Sequence, residues 1–190
     1  MHVVVHNVTM KTRQARAGSK RTPSNGTTMN DPLDILQNEH DNGLRLLERM
    51  ESAALSIERN GFSASAFDQI KDAMKKINIS FRRHMEKEEH FLFPLLARHS
   101  ENPARIVRTE HWELWRAYND LLLCVKDVEE GRIHGKSIIE LLRGMKYFIE
   151  QFRVHMEKEA SVIFPLVKKL LTQDEYEELR ESIVPVRPAS

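Results

Sequence analysis

The 190-residue chain has a single cysteine, Cys124, so it cannot form an internal disulfide. This thiol lies in the apolar run 121–125, where a cysteine behaves as a small hydrophobic side chain. No apolar stretch approaches the roughly 18 residues that a membrane span requires, and the N-terminus lacks the apolar segment of a secretory signal. We therefore expect a soluble, cytoplasmic protein.

An excess of charge of either sign is also lacking. The chain has 29 basic and 28 acidic residues, a formal net charge of +1, which gives no global field to attract nucleic acid or an anionic membrane. Five basic residues and no acidic residue lie within residues 1–28, which leaves 24 basic against 28 acidic residues in the remainder. Because residues 1–28 also contain turn formers and no periodicity, we interpret them as a disordered basic tail. A nucleic-acid arm or an organelle-targeting segment is the alternative.

The alternation typical of β-strands is absent, whereas helical periodicity begins at Asp31. Asp31-Pro32 is typical of a helix start and Asn60-Gly61 of a helix end. We predict four long helices, at about 31–59, 63–99, 102–130 and 137–171. A capping box formed by Thr172 and Glu175 predicts a short fifth helix.

Long helices joined by short turns predict an all-α fold, an antiparallel up-down four-helix bundle with a short C-terminal helix. The predicted organisation has three parts: the basic tail at 1–28, the bundle at 29–171, and the short helix and tail at 172–190.

An internal repeat relates the two halves of the predicted bundle. Residues 81–96 and 152–167 are identical at ten of sixteen positions, with an offset of 71 residues. The same offset carries the pair Glu39-His40 onto Glu110-His111. The bundle is therefore predicted to consist of two repeated helical hairpins.

Each half contains one histidine on its first helix and a His-x-x-x-Glu motif on its second. Residues four apart on a helix project from the same face, and the apolar neighbours of these residues predict that this face points inward. The candidate metal ligands are His40, His84, Glu88, His111, His155 and Glu159.

A metal ion would explain why these polar residues lie in an apolar interior. A buried carboxylate is unfavourable unless it is paired, hydrogen-bonded or bound to metal, and no lysine or arginine shares the stripes. A lone inward histidine is more often a hydrogen-bonded core residue, but a duplicated set with matched spacing favours metal. Imidazole and carboxylate ligands suit iron, manganese or zinc. Two octahedral ions offer about twelve positions, which leaves room for an oxo or hydroxo bridge and an exogenous ligand.

The chain resembles the haemerythrin-like, HHE cation-binding family over about residues 31–171. The resemblance is carried by His40 and His111, by His-Met-Glu-Lys-Glu at 84–88 and 155–159, and by the Phe-Pro pairs that follow. It implies a four-helix bundle with two iron ions and an oxo or hydroxo bridge. In such a centre Glu88 and Glu159 would bridge the irons, and the histidines would be terminal ligands.

Two departures separate the chain from the oxygen-carrying members of that family. Those carriers have a second histidine on the third helix where this chain has Trp115, and an aspartate one residue later than Glu159. The resemblance therefore favours binding or sensing of dioxygen, nitric oxide or iron, with a small diatomic molecule or peroxide as ligand. The alternatives are an oxidoreductase acting on peroxide or nitric oxide, in stress defence or iron-centre repair, and a structural metal bundle. No nucleic-acid or membrane partner is expected.

Several neighbouring residues receive secondary predictions. Tyr118 is expected in the core or as a hydrogen-bond donor beyond the ligands, and Trp115 as a packing residue or a cap on the site. Glu86, Glu89 and Glu157 are placed on solvated faces, with the alternative that distortion of a helix brings one of them into the coordination sphere. Proline in each Phe-Pro pair is expected to bend its helix, either narrowing the bundle around the site or closing its end.

Overall fold

A computed structural model describes residues 31–184, and these residues form helices and no strand. The sequence-based prediction of an all-α fold is therefore confirmed for this part of the chain. Residues 1–30, which include the predicted basic tail at 1–28, and residues 185–190 lie outside the described range. The helices are α1 (Pro32–Asn60), α2 (Ala64–Lys87), π1 (Glu88–Leu92), α3 (Phe93–His99), α4 (Glu101–Glu129), α5 (Gly135–Lys158), π2 (Glu159–Ile163), α6 (Phe164–Leu170) and α7 (Gln173–Ile183).

The ends of α1 follow local sequence chemistry. The Asp31 carboxylate accepts hydrogen bonds from the backbone N–H groups of Leu33 and Asp34, at 2.8 and 3.3 Å, and Pro32 occupies the first helical position. Gly61 ends the helix with a φ of 82°, a left-handed value that suits glycine. The predicted bounds of this helix are close to those observed.

The start of α4 differs from the prediction, which placed it at about residue 102. The helix begins at Glu101, after Ser100 in extended conformation. Pro103 is then the third helical residue, a position whose N–H has no intrahelical acceptor. Proline is tolerated there, so it marks the first turn rather than the first residue of the helix.

The helices pack around two apolar clusters. Helix α1 packs on α2 and α4 packs on α5, and we call these two pairs, each with the short helices that follow, the first and the second hairpin. The two pairs meet where α1 contacts α5 and where α3 contacts α4. A lower core includes Leu47, Phe81 and Met145, and an upper core includes Leu36 and Val107. Along each long helix, the predicted ligands lie between the residues of the two cores, so a polar layer separates the two apolar clusters.

The short helix α7 closes the upper core. Leu179 and Ile183 are buried in that core, and the predicted capping box of Thr172 and Glu175 is present. The Tyr176 hydroxyl donates to the Asp31 carboxylate at 2.9 Å, which links α7 to the residue that caps α1. Among the helices within residues 31–184, none is long and apolar enough to cross a membrane.

The link between α7 and α1 can be tested with Tyr176→Phe. Removing the hydroxyl leaves a carboxylate oxygen of Asp31 without its donor, so we expect a loss of about 1 kcal/mol in unfolding free energy. For a chain of this size that corresponds to about 2–4 °C in melting temperature. Tyr147→Phe is the matched control because Tyr147 is 56% exposed. Equal melting temperatures for the two variants would contradict the role of this hydrogen bond.

Candidate metal centre

The structure brings all six candidate ligands together in the polar layer between the two cores. His40 lies on α1, His84 at the end of α2, His111 on α4 and His155 at the end of α5. Glu88 and Glu159 are the first residues of π1 and π2. Each of the six is at most 2% exposed, and within residues 31–184 the only other buried polar residue is Ser137.

One group of side chains able to hold a metal ion consists of His40, His84, Glu88 and Glu159. The Nε2 atoms of His40 and His84 are 2.9 Å apart. His40 Nε2 is also 3.0 Å from Glu159 Oε2, and His84 Nε2 is 3.4 Å from Glu88 Oε2. Ligand atoms from His40, His84 and Glu88 of the first hairpin thus lie close to the Glu159 carboxylate of the second.

A second group contains His111, His155 and Glu159. Glu159 Oε1 is 3.4 Å from His155 Nε2 and 3.6 Å from His111 Nε2. Glu88 Oε2 approaches the same His111 nitrogen at 3.4 Å. Each carboxylate therefore reaches histidines of both groups, so Glu88 and Glu159 lie between two possible metal positions.

The two glutamates begin π-helical turns, which the sequence did not predict. In each turn a phenylalanine N–H donates to the carbonyl five residues earlier: Phe93 to Glu88 and Phe164 to Glu159. The proline that follows each phenylalanine has no N–H to give to an α-helical pattern. Where the sequence predicted a simple bend, the helix therefore has a widened π-helical turn, and such turns are frequent at functional sites. Its place in the sequence is the same in both repeats.

Two further carboxylates orient the histidines at the ends of α2 and α5. Glu39 Oε2 is 3.0 Å from His84 Nδ1, and Glu39 also pairs with Lys87. Glu110 Oε2 is 3.3 Å from His155 Nδ1. Lys158 pairs with Glu110, so the whole arrangement repeats at the offset of 71 residues. A carboxylate on Nδ1 fixes the ring so that Nε2 points into the site.

Glu89 has a role that the sequence analysis missed. It was placed on a solvated face, but its Oε1 atom lies 2.7 Å from His111 Nδ1. The carboxylate is partly exposed, at 41%, and connects a buried imidazole to the surface. The repeat gave no signal for it, since the residue 71 positions later is Ala160. The role of Glu39 and Glu110 could have been inferred, because the Glu-His pair itself is repeated.

Burial and neighbouring charges shift the pKa values of the histidines in opposite directions. Burial lowers the pKa of His84 from 6.5 to about 4, although the Glu39 carboxylate opposes this shift. Burial also acts to lower the pKa of His111, but the carboxylates of Glu159, Glu88 and Glu89 close to its ring raise it to about 11. The nearby carboxylates therefore favour the protonated form of His111, whereas burial favours the neutral form of His84.

The two central carboxyl groups affect one another. Burial, and then the charge of Glu159, raise the pKa of Glu88 well above its ordinary 4.5. Burial acts in the same direction on Glu159, but His155, His111 and His40 hold its pKa below the usual range. Two buried carboxylates this close are unfavourable when both are ionised, unless positive charge lies between them.

Most of the polar atoms at the centre of the site have no hydrogen-bond partner among the described residues. Both oxygens of Glu88 and of Glu159, and the Nε2 atoms of His111 and His155, have no hydrogen-bond partner within residues 31–184. Buried polar atoms are almost always satisfied. Unpaired oxygen and imidazole nitrogen atoms that converge are the donor set that a cation requires, and the residues present therefore fit a metal.

The model of the Hemerythrin HHE cation binding domain matches residues 31–167, more than half of the chain. The chain belongs to the haemerythrin HHE cation-binding family. The resemblance predicted from the motifs is thus confirmed, and the matched range spans every residue of the candidate centre. No match was found among curated proteins.

Two aromatic residues of this HHE domain lie below the polar layer. Trp115 packs against the lower core, with its ring 5.5 Å from Tyr118 and the Arg82 guanidinium 4.6 Å from the Trp115 ring centroid. The Tyr118 hydroxyl donates to the carbonyl of Met74 at 3.4 Å, and the residue is 7% exposed. Tyr118 is therefore a core residue, which was one of its two predicted roles.

The repulsion between the central carboxylates predicts an unusual stability effect. In chelator-treated protein, Glu88→Gln removes a buried carboxyl group whose ionisation is unfavourable, so we expect the melting temperature to rise by about 2–4 °C, or on the order of 1 kcal/mol. Because folding raises the pKa of the Glu88 carboxyl group, this group makes the folded protein less stable as the pH rises above 4.5. The gain in melting temperature from Glu88→Gln should therefore grow with pH.

The matched control for this measurement is Glu86→Gln, an exposed position of α2. It should leave the melting temperature of chelator-treated protein within about 1 °C at every pH. A lower melting temperature for Glu88→Gln than for the unaltered chain would show that the carboxylate stabilises the metal-free fold, contrary to this account.

Proposed function

We propose that the protein is a non-haem di-iron protein that binds or senses dioxygen, nitric oxide or iron. The observation that carries the proposal is the position of Glu88 and Glu159, each of which approaches histidines of both ligand groups. Carboxylates so placed are suited to bridging two cations. The proposed ligands are His40, His84, Glu88, His111, His155 and Glu159.

The donor chemistry supports iron as the metal. Four imidazoles and two carboxylates form a nitrogen and oxygen set that suits iron, and calcium favours oxygen ligands alone. Cys124 belongs to the partly buried residues around the lower core, away from the polar layer. Bound iron would supply reversible redox chemistry and positions for a small ligand, and an oxo or hydroxo bridge would complete the pair.

The residues around the ligands keep the site dry. Phe81 lies 4.8 Å from His84 between ring centroids, and Phe93 lies 5.5 Å from His111. Phe164 lies 5.4 Å from His40. An apolar surround strengthens electrostatic interactions and admits small neutral molecules more readily than ions. This environment supports a diatomic molecule or peroxide as the exogenous ligand.

We also infer that the four long helices alternate in direction as an up-down bundle at 29–171, followed by the separate short helix within 172–190. The support is the packing of α1 on α2 and of α4 on α5, each pair joined by a short connection. In this arrangement all four long helices pass through the polar layer, and each supplies one histidine.

Metal analysis of protein purified without chelator tests the di-iron proposal. We expect about two irons per chain and oxo-bridge charge-transfer bands in the optical spectrum. Glu88→Ala and Glu159→Ala should each lose at least one iron, because each removes a ligand shared by both positions. Glu86→Ala, on the exposed face of α2, should keep both. Folded protein that takes up no metal, or retention of two irons in both ligand variants, would refute the proposal.

A second measurement distinguishes binding from turnover at the iron pair. Adding dioxygen or nitric oxide to reduced, iron-loaded protein should give a spectral change that is reversed when the gas is removed. Steady consumption of hydrogen peroxide or nitric oxide with a supplied reductant would instead favour an oxidoreductase. The same trials on Glu88→Ala supply the background rate. Iron-loaded protein that is inert to all these molecules would contradict the dioxygen and nitric oxide parts of the proposal and leave iron sensing or a structural role for the metal.

A further inference from the structure

The internal repeat breaks at one position next to the proposed ligands. The offset of 71 residues relates Glu39 to Glu110 and Lys87 to Lys158, and both orienting arrangements are present in the structure. The residue after the central glutamate does not follow this rule. It is Glu89 in the first hairpin and Ala160 in the second.

This difference changes what each histidine on the first helix of a hairpin contacts. Glu89 of the first hairpin contacts His111 of the second, and its Oε1 atom lies 2.7 Å from His111 Nδ1. The equivalent partner for His40 would be residue 160, where alanine offers only a methyl group. His40 Nδ1 is buried and has no hydrogen-bond partner within residues 31–184.

The surroundings of Glu89 add to the difference. Arg108 Nη2 lies 3.4 Å from the Glu89 carbonyl oxygen and donates a hydrogen bond to it. The residue equivalent to Arg108 in the first hairpin is Gln37, whose amide donates to Asp41 instead. The His111 side of the site thus has a carboxylate on the imidazole and an arginine beside that residue, where the equivalent positions on the His40 side are alanine and glutamine.

Aromatic stacking holds His40 in another way. Its ring is nearly parallel to that of Phe164, with an interplanar angle of 17° and centroids 5.4 Å apart, and it also stacks on Phe81. Stacking fixes the plane of the imidazole, but it does not select the nitrogen that carries the proton or increase the basicity of Nε2. A carboxylate on Nδ1 does both.

We propose that the two metal positions are inequivalent, with the His111–His155 position binding metal more tightly and the His40–His84 position more weakly. Three of the four histidines have a carboxylate on Nδ1, and both histidines of the tighter position are among them. Glu89 is a positioning residue that acts on the metal through His111. Loss of such a partner costs about 10–100-fold in metal affinity, so the positions should differ by about that factor.

This inference rests on the proposed di-metal function and specifies its regulation. As the concentration of free metal falls, the weaker position would release its ion while the tighter position keeps its own. The chain would then change between a two-ion and a one-ion form in response to metal supply. Such a change in occupancy would let the chain report the level of free metal.

The test is an anaerobic titration of metal-free protein with Co²⁺ and with Fe²⁺, followed by calorimetry and by optical spectra. We expect two steps whose dissociation constants differ by about 10–100-fold. His111→Ala should remove the tighter step, and His40→Ala should remove the weaker one. In the Co²⁺ protein at one equivalent, paramagnetically shifted Nδ1–H proton signals should come from His111 and His155.

Variants at the asymmetric position separate positioning from a general structural effect. Glu89→Ala should weaken the first step by about 10-fold or more and bring it near the second. Glu89→Gln should recover part of this loss, because the amide oxygen still accepts from Nδ1–H. Ala160→Glu should strengthen the second step selectively. Glu86→Ala, an exposed neighbour on α2, should change neither step.

The outcomes distinguish this inference from the proposed function. A protein that binds no metal would refute both. Two ions bound with equal affinity, with Glu89→Ala affecting both steps alike or neither, would refute the inequivalence and leave the di-iron proposal standing. Loss of the weaker step alone in Glu89→Ala would reverse the assignment and overturn the inference.

Discussion

The structure depends on burying two carboxyl groups and four imidazoles in an otherwise apolar interior. Such a set is unfavourable by itself, because burial opposes charge on every member and the two carboxylates repel each other. The cost is concentrated in one layer, and the apolar cores on either side of that layer hold the helices in place. The fold therefore keeps these donors close together, in an arrangement that a cation would stabilise.

Much of this architecture is predictable from the sequence, because it rests on repeated local signals. The His-x-x-x-Glu spacing places His84 and Glu88 on one helix face whatever the tertiary structure, and duplication identifies their equivalents. The Asp31 cap and the Gly61 stop are likewise local. The family match confirms the resemblance drawn from the motifs, whereas the ligand set and the order of the bundle stay proposals.

The features that sequence reasoning missed depend on the geometry between helices. A π-helical turn has no distinct composition, and Pro94 indicates only that a regular α-helix is disturbed. The contact of Glu89 with His111 joins different hairpins, so no spacing within one helix reveals it. The start of α4 was misplaced because proline is allowed at several positions of a first helical turn.

Each hairpin places a carboxylate against a histidine of the other hairpin, and this arrangement bears on the symmetry of the molecule. Each hairpin supplies two histidines and one central glutamate, so two identical hairpins associating as separate chains would already provide every proposed ligand. In such a homodimer any substitution would occur on both sides at once. Joining the hairpins in one polypeptide is what allows Glu89 and Ala160 to differ, and thus lets the two halves of a symmetric site acquire separate properties.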